Sequence, residues 1–290
     1  MNSVIENITA LATNEGFNST SIAGVGIFKA SQSAPRVPLT YSQGVIIIVQ
    51  GRKRVFFDQK AYDYNPETYL VLTLPLPVEC ETIVENDLPL LALVINFDMP
   101  VLSELARVFD DHGQLNHHDN ISNNKGLFVS DCTNEFSCVI SRLAQCLNSP
   151  IESDIIGKGL IKEIFYHILC GPQAAPLFAL VSHNTHLSRI ERVLKHLHSD
   201  FQTKLDVEQL ASMANMSSST FHRNFKLVTA LSPIQYIKKI RLSRARELLL
   251  DQGLKVKQAA AQVGYESPTQ FSREFTRYFG QSPSECHTAA

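Results

Sequence analysis

The sequence predicts an α+β chain in two parts: an N-terminal antiparallel β-barrel carrying a helical hairpin, then an all-helical region with two helix-turn-helix units. Three observations carry this. Short apolar runs broken by turn residues crowd positions 44 to 97, the spacing of a small antiparallel barrel. One pattern occurs twice near the C-terminus, as Val207, Leu210, Ala211, Met216, Phe221, Phe225 and Ser232-Pro233, then as Val256, Ala259, Ala260, Tyr265, Phe271, Phe275 and Ser282-Pro283. Charge also changes sign: residues 186–290 hold 15 Lys and Arg against 9 Asp and Glu, whereas residues 1–185 hold 11 against 19.

Taken in order, residues 1–35 are weakly patterned, and 31–35 read as a loop. The β-branched run Gly44–Val49 and the run Arg52–Phe57 flank a Gln50-Gly51 turn and read as strands. Tyr69–Leu74 stops at Pro75 and Pro77, Cys80–Val84 is short, and Leu90–Phe97 is continuously apolar. Helical periodicity follows at Val101–Phe109 and Asn134–Leu147, then from Ile151 to Leu169, where Ile156, Leu160, Ile164 and Ile168 recur every four residues. The last two form a hairpin turning at 148–150. Gly171-Pro172 ends it, and Pro176 marks a linker. The expected division is a domain at 1–175, a linker at 176–186 and a second domain at 187–290.

In the second domain, helices are expected at 187–198, 206–213, 218–228, 233–250, 256–263, 268–279 and, shortly, after Ser282. Ser232 followed by Pro233 is a helix N-cap with proline at its first position. The two copies are offset by 49 residues up to Met216 and Tyr265 and by 50 from Phe221 and Phe271 onward, so the second has one extra residue near its turn. A short helix, a tight break and a second helix with small polar residues at its start suit a reader of the DNA major groove, because a projecting helix N-terminus reaches base edges. The basic C-terminal half supplies phosphate neutralisation, which the acidic N-terminal half does not.

At these residues the chain resembles the AraC family of bacterial transcription regulators. The likeness runs from Leu187 to Pro283 and includes Arg244–Leu249, Ala259-Ala260, Gly264-Tyr265 and Tyr278–Pro283. It departs from the family at Ala259, where a β-branched residue is usual, and at Glu285–His287, where Tyr-Arg usually follows Ser-Pro. The resemblance implies seven helices, with a long one joining two readers that enter successive major-groove segments on one face of double-stranded DNA. Pro38, Tyr41, 50–54, 62–64 and 69–77 are similar to the cupin-like N-terminal domain of one subgroup, which implies a small-molecule effector in the barrel and helices that form a homodimer. RNA polymerase is a further partner consistent with that family.

The expected DNA-facing residues are Ser217, Ser218, Ser219, Thr220, His222, Arg223 and Lys226 in the first reader, and Pro268, Thr269, Gln270, Ser272, Arg273 and Arg277 in the second. Arg223, Gln270 and Arg273 are the foremost base readers, since Arg and Gln bond base edges bidentately, while Arg277 suits a phosphate. For the effector the residues are Tyr41, Arg52, Arg54 and Tyr69. Strand alternation puts Arg52 and Arg54 on one face and Lys53 on the other, so a charged strand edge competes with an anion site there. Self-association is expected through Phe136, Val139, Leu143, Ile156, Leu160 and Ile164.

The competing reading is a cupin-type small-molecule enzyme with an appended regulator domain. Its barrel would need several histidines around a metal, yet residues 1–111 contain none. His112, His117 and His118 sit with Asp110, Asp111 and Asp119 in a polar stretch that reads as a solvated turn, so no metal, cofactor or catalytic residue is expected. The six cysteines (80, 132, 138, 146, 170 and 286) show neither C-x-x-C nor zinc spacing, which suits scattered reduced thiols, with a redox pair as the alternative. Residues 1–16 carry Glu6 and Glu15 and lack the pattern of a secretory signal, and no apolar run approaches ~18 residues, so a soluble cytoplasmic protein without membrane contact is expected.

Overall fold

A computed structural model describes residues 2–114, 126–182, 185–203 and 205–288. The N-terminal part begins with helix α1 (Asn2–Leu11) and strands β1 (Gly16–Ser19), β2 (Val25–Ala30), β3 (Ala34–Tyr41), β4 (Gly44–Gln50) and β5 (Arg52–Phe57). It continues through β6 (Lys60–Tyr64), β7 (Thr68–Leu72), β8 (Leu76–Ile83), β9 (Leu90–Asn96), α2 (Met99–Asp111) and β10 (Leu127–Asp131). Two antiparallel sheets result, in the orders β1-β2-β9-β4-β7-β10 and β3-β8-β5-β6. All five apolar runs expected as strands lie in them. Also present are α1, β1, β2, β3, β6 and β10, of which α1, β1 and β2 lie in the stretch that looked weakly patterned. β1 is a four-residue edge strand and β2 is half glycine, alanine and lysine, so neither carries a long apolar run. Gly26 in β2 lies flat beneath the Phe17 ring, where a Cβ would come within 2.0 Å of ring carbon.

The hairpin is α3 (Asn134–Cys146) and α5 (Lys158–Cys170), joined by a single turn, α4 (Pro150–Glu152), and a π-helical turn at Ser153–Gly157. The sequence suggested one helix from 151. The wide turn brings Ser153 and Gly157 inward, and a Cβ on Gly157 would meet Ile22 at 2.4 Å. The proposed linker is partly helical: α6 (Ala175–Val181) has proline in its first turn and buries Pro176, Leu177 and Leu180 against the next helix. Two buried leucines one turn apart are enough to dock it, which the preceding Gly171-Pro172 obscured.

The C-terminal part is α7 (His186–Ser199), α8 (Val207–Met213), α9 (Ser218–Thr229), α10 (Pro233–Leu250), α11 (Val256–Gln262), α12 (Pro268–Phe279) and α13 (Pro283–Thr288), as the caps and periodicity indicate. Ser232 and Gln235 form a reciprocal capping box at the start of α10. Buried side chains divide in the middle of α10. Those of the first helix-turn-helix, up to Ile240, join the barrel core, whereas Leu242, Leu249, Ala260, Phe271 and Phe275 form a separate core around the second.

Candidate nucleic-acid interface

Each reader is built the same way. Asp206 caps α8 by accepting from the N–H groups of Glu208 and Gln209, and Ser217 and Ser267 cap α9 and α12 through the N–H of Thr220 and Gln270. The turn between each helix pair needs one left-handed residue, Asn215 (φ 51°) in the first and Gly264 (φ 82°) in the second. An arginine holds each turn, Arg189 donating to Asn215 O and Arg241 to Gly264 O, both at 3.3 Å. Arg241 also donates to the carbonyls of Phe201, Gln202 and Thr203, so it fastens the second turn to the loop before α8. The extra residue of the second copy is Glu266, inserted just before the cap at Ser267.

Buried Phe221, Phe225, Phe271 and Phe275 turn the opposite faces of α9 and α12 outward. Ser217, Ser218, Ser219, His222, Arg223 and Lys226 are exposed on α9, and Pro268, Thr269, Gln270, Arg273 and Arg277 on α12. Thr220 is half-buried and accepts from Ser217 Oγ at 2.9 Å, and Ser272 is half-buried and donates to Pro268 O at 3.0 Å. Neither Arg223 nor Arg273 has a hydrogen-bond or ion-pair partner among the described residues. Gln270 is steered, because its amide Nε2 donates to Glu274 Oε1 at 3.1 Å. Glu274 also takes Lys238 Nζ and the Tyr265 hydroxyl, each at 2.9 Å. Burial works against its charge, but the bonds from Lys238, Gln270 and Tyr265 prevail and hold its carboxyl below the usual range. Lys226 differs from its neighbours in lining a crevice shared with Arg36, Phe56 and Glu79 of the barrel.

Between the two sheets lies a cavity of about 330 Å³, lined by Phe17, Phe28, Leu39, Tyr41, Val94 and Lys53 among others. Tyr41 is here, its hydroxyl 2.9 Å from that of Tyr64 and 3.0 Å from Cys80 Sγ, and burial pushes both phenols up. The arginines expected at an effector are elsewhere. Arg52 pairs with Glu85 at 3.3 Å, and Arg54 pairs with Asp63 at 2.7 Å and Glu81 at 3.6 Å, on the outer face of β5. Tyr69 is also outside the cavity, stacked on Phe136 at 4.6 Å beneath α3. The inward residue is Lys53, only 4% exposed, with Nζ 4.4 Å from the Phe28 ring centre and 5.6 Å from that of Tyr41. A signal for it was present in the sequence, since Lys53 shares its face of the strand with apolar Val55 and Phe57.

The stripes expected between protomers are consumed within one. Phe136, Val139, Leu143, Leu160 and Ile164 are buried, α3 against α1, α5 and Tyr69, and α5 also against α2 and Phe97. Of that set only Ile156 is outward, at 46% exposure, beside Ile151 and Ile155 at 71% and 74%. His112 is exposed with Nδ1 2.9 Å from Val108 O, His117, His118 and Asp119 lie outside the described residues, and no His, Cys, Asp and Glu group that could hold a metal occurs among the described residues. All cysteines are free. Among the described residues no single helix is long and apolar enough to cross a membrane.

Beside the shared apolar core, hydrogen bonds form a polar seam between the two parts. Tyr236 of α10 donates to Pro75 O at 2.7 Å, Thr40 of β3 donates to Ser243 of α10 at 3.0 Å, and Gly126 N–H donates to Val228 O at 3.1 Å. Because the Tyr236 proton goes to Pro75, the 2.8 Å contact with His198 requires the imidazole Nε2–H to donate. Burial, helped by nearby Arg244, lowers the pKa of His198 to about 4. Thr40, Tyr41 and Ser42 line both the barrel cavity and a crevice beneath His198 and Arg244.

A profile for the AraC-type transcriptional regulator N-terminus matches residues 21–176, and a helix-turn-helix domain profile matches residues 210–288. The Msm operon regulatory protein of Streptococcus mutans is 30% identical over 49% of this chain and 51% of its own length. The lactose operon transcription activator of Staphylococcus xylosus is 26% identical over 51% and 52%. The chain thus matches about half the length of these relatives. ToxT of Vibrio cholerae aligns over 95% of this chain and 98% of its own with a TM-score of 0.61 at 15% identity, a likeness of fold. Since the N-terminal profile alone covers more than half of the residues, the chain belongs to the AraC family of transcriptional regulators.

Proposed function

We propose that this chain is a one-component transcription regulator of the cytoplasm, without enzymatic activity, that binds double-stranded DNA through α9 and α12 and a small-molecule effector in the barrel. The observation that carries the DNA reading is the pair of exposed, capped helices bearing Arg223 and Arg273, which have no partner among the described residues, on a basic half-chain. Effector binding is supported by the apolar cavity between the sheets and by a ToxT structure that holds an unsaturated fatty acid, a small ligand on the same fold. Occupancy acts by favouring one arrangement of the seam, which requires different ligand affinity in each arrangement. The same reading includes a homodimer through the exposed isoleucines near the π turn, and contact with RNA polymerase when the protein is bound at a promoter.

The test is selection of binding sites from random DNA with the wild type, Arg223→Ala and Arg273→Ala. Each variant should lose preference in a different half of the site, since a bidentate guanine contact is worth on the order of 1–3 kcal/mol, roughly 5- to 150-fold. Two variants that return the wild-type motif at lower affinity would reduce these arginines to phosphate contacts. Binding to no DNA, or binding insensitive to salt, would reject the interface itself.

A further inference from the structure

Among the described residues no carboxylate pairs with Lys53, and the acidic group that acts on its ammonium is the Cys80 thiol. Lys53 sits in the middle of β5, and neighbouring Arg52 and Arg54 have carboxylate partners within 3.6 Å on the outer face. The Lys53 side chain goes inward instead, and none of the cavity-lining residues is Asp or Glu. Its ammonium lies against the faces of Phe28 and Tyr41. Aromatic faces partly replace hydration for a cation, but they do not neutralise it. Burial accordingly lowers the Lys53 pKa from the usual lysine range. An apolar residue would fill this inward position without such a cost, as Val55 and Phe57 do on the same face.

The remaining walls narrow the chemistry. Phe17, Phe28, Leu39, Val45, Ile46 and Val94 are apolar, and the polar groups are few: the Tyr41 hydroxyl, Ser42, Thr40 and Asn96. A dianion such as a phosphate monoester would bring two charges to one ammonium and leave one of them uncompensated among apolar walls. A neutral ligand would leave the ammonium unpaired. About 330 Å³ at ~30 Å³ per water-sized group leaves room for about ten non-hydrogen atoms.

We propose that the barrel cavity binds a small apolar monocarboxylate whose carboxylate pairs with Lys53 Nζ and whose hydrocarbon part lies among Phe17, Phe28, Leu39 and Val94. The assignment rests on the reading of the barrel as the effector site and adds the ligand class and the residue that selects it.

The test is calorimetric titration of the full chain with octanoate, a probe of about ten non-hydrogen atoms, beside octanamide, octylamine and octyl phosphate. The wild type should bind octanoate at least about tenfold more tightly than octanamide, as expected for a charge-assisted bond, and should bind octylamine not at all. Lys53→Met, which keeps the length and apolarity of the side chain, should abolish the preference for octanoate over octanamide. Ala92→Leu, which narrows the cavity wall without touching Lys53, should weaken both compounds together. Equal binding of acid and amide, an unchanged preference in Lys53→Met, tighter binding of octyl phosphate, or no octanoate binding would each overturn the assignment. The same compounds are then added while DNA affinity is measured on a site selected as above. Octanoate that binds at Lys53 without changing DNA affinity leaves the carboxylate site in place and removes its effector role. Octanamide that binds equally and changes DNA affinity does the reverse.

Discussion

Lys53 sets a buried ammonium in the wall of the barrel. Lys53 carries a desolvation cost that Phe28 and Tyr41 only partly offset, so Lys53→Met should raise the melting temperature. The gain should be about 1–2 kcal/mol, or roughly 3–6 °C, readable by calorimetry. Because the folded-state pKa of Lys53 is lowered, the folded protein binds fewer protons than the unfolded one on the alkaline side, and wild-type stability rises with pH there. The advantage of the Met variant should therefore shrink as pH increases. A Met variant that melts lower than wild type at neutral pH would mean that the ammonium is a net stabilising element of the core.

Among the elements, the two helix-turn-helix units differ most at their turns. Gly264 combines φ 82° with the Gln202 carbonyl 2.4 Å from where a Cβ would stand, whereas Asn215 at the matching place tolerates its side chain at φ 51°. Gly264→Ala should destabilise by about 1–3 kcal/mol through strain and that clash, while Asn215→Gly should stay within about 1 kcal/mol, both measured by urea unfolding. Equal effects would show that the second turn relaxes freely. The hairpin differs from its sequence pattern in a second way. Its regular apolar stripes face inward, and the irregular π turn carries the exposed isoleucines. Ile155→Lys should then weaken self-association without lowering the melting temperature, and a wild type that sediments as a monomer at micromolar concentration would remove the dimer.

At the scale of the whole molecule, the seam joins the cavity wall to the DNA-binding half. Neutral His198 donates to Tyr236, which in turn donates to Pro75 of the barrel. With a folded pKa of about 4 against an ordinary value of 6.5, its contribution is fully present above pH 6.5 and is lost as pH falls toward 4. Protonation leaves the Nε2–H bond intact but places a charge in a buried site beside Arg244. Stability should fall by on the order of 2 kcal/mol between pH 7 and pH 4.5, and His198→Gln, whose amide keeps a donor for Tyr236, should flatten that part of the profile. Thermal melts across this range decide it, and an equally steep loss in the Gln variant would assign the acid sensitivity to carboxylates instead.

The sequence by itself determined the parts that depend on local rules. The Ser232 cap, the paired phenylalanines of each reader, and the extra residue at the second turn all act within a few residues, so the helices of the C-terminal half were legible, with their outward faces. So was the fact that Arg52 and Arg54 share one side of a strand and Lys53 the other. Which side faces the cavity was decided by the pairing of β5 with β6 and β8 and by the sheet opposite, interactions between residues far apart in the chain. The same long-range packing turned the stripes of α3 and α5 toward α1, α2 and the outer face of the six-stranded sheet. It also recruited weakly patterned strands, whose partners rather than their own residues make them strands. Periodicity tells which residues share a face. Only tertiary packing decides what that face meets, because burial is a property of the surfaces brought together.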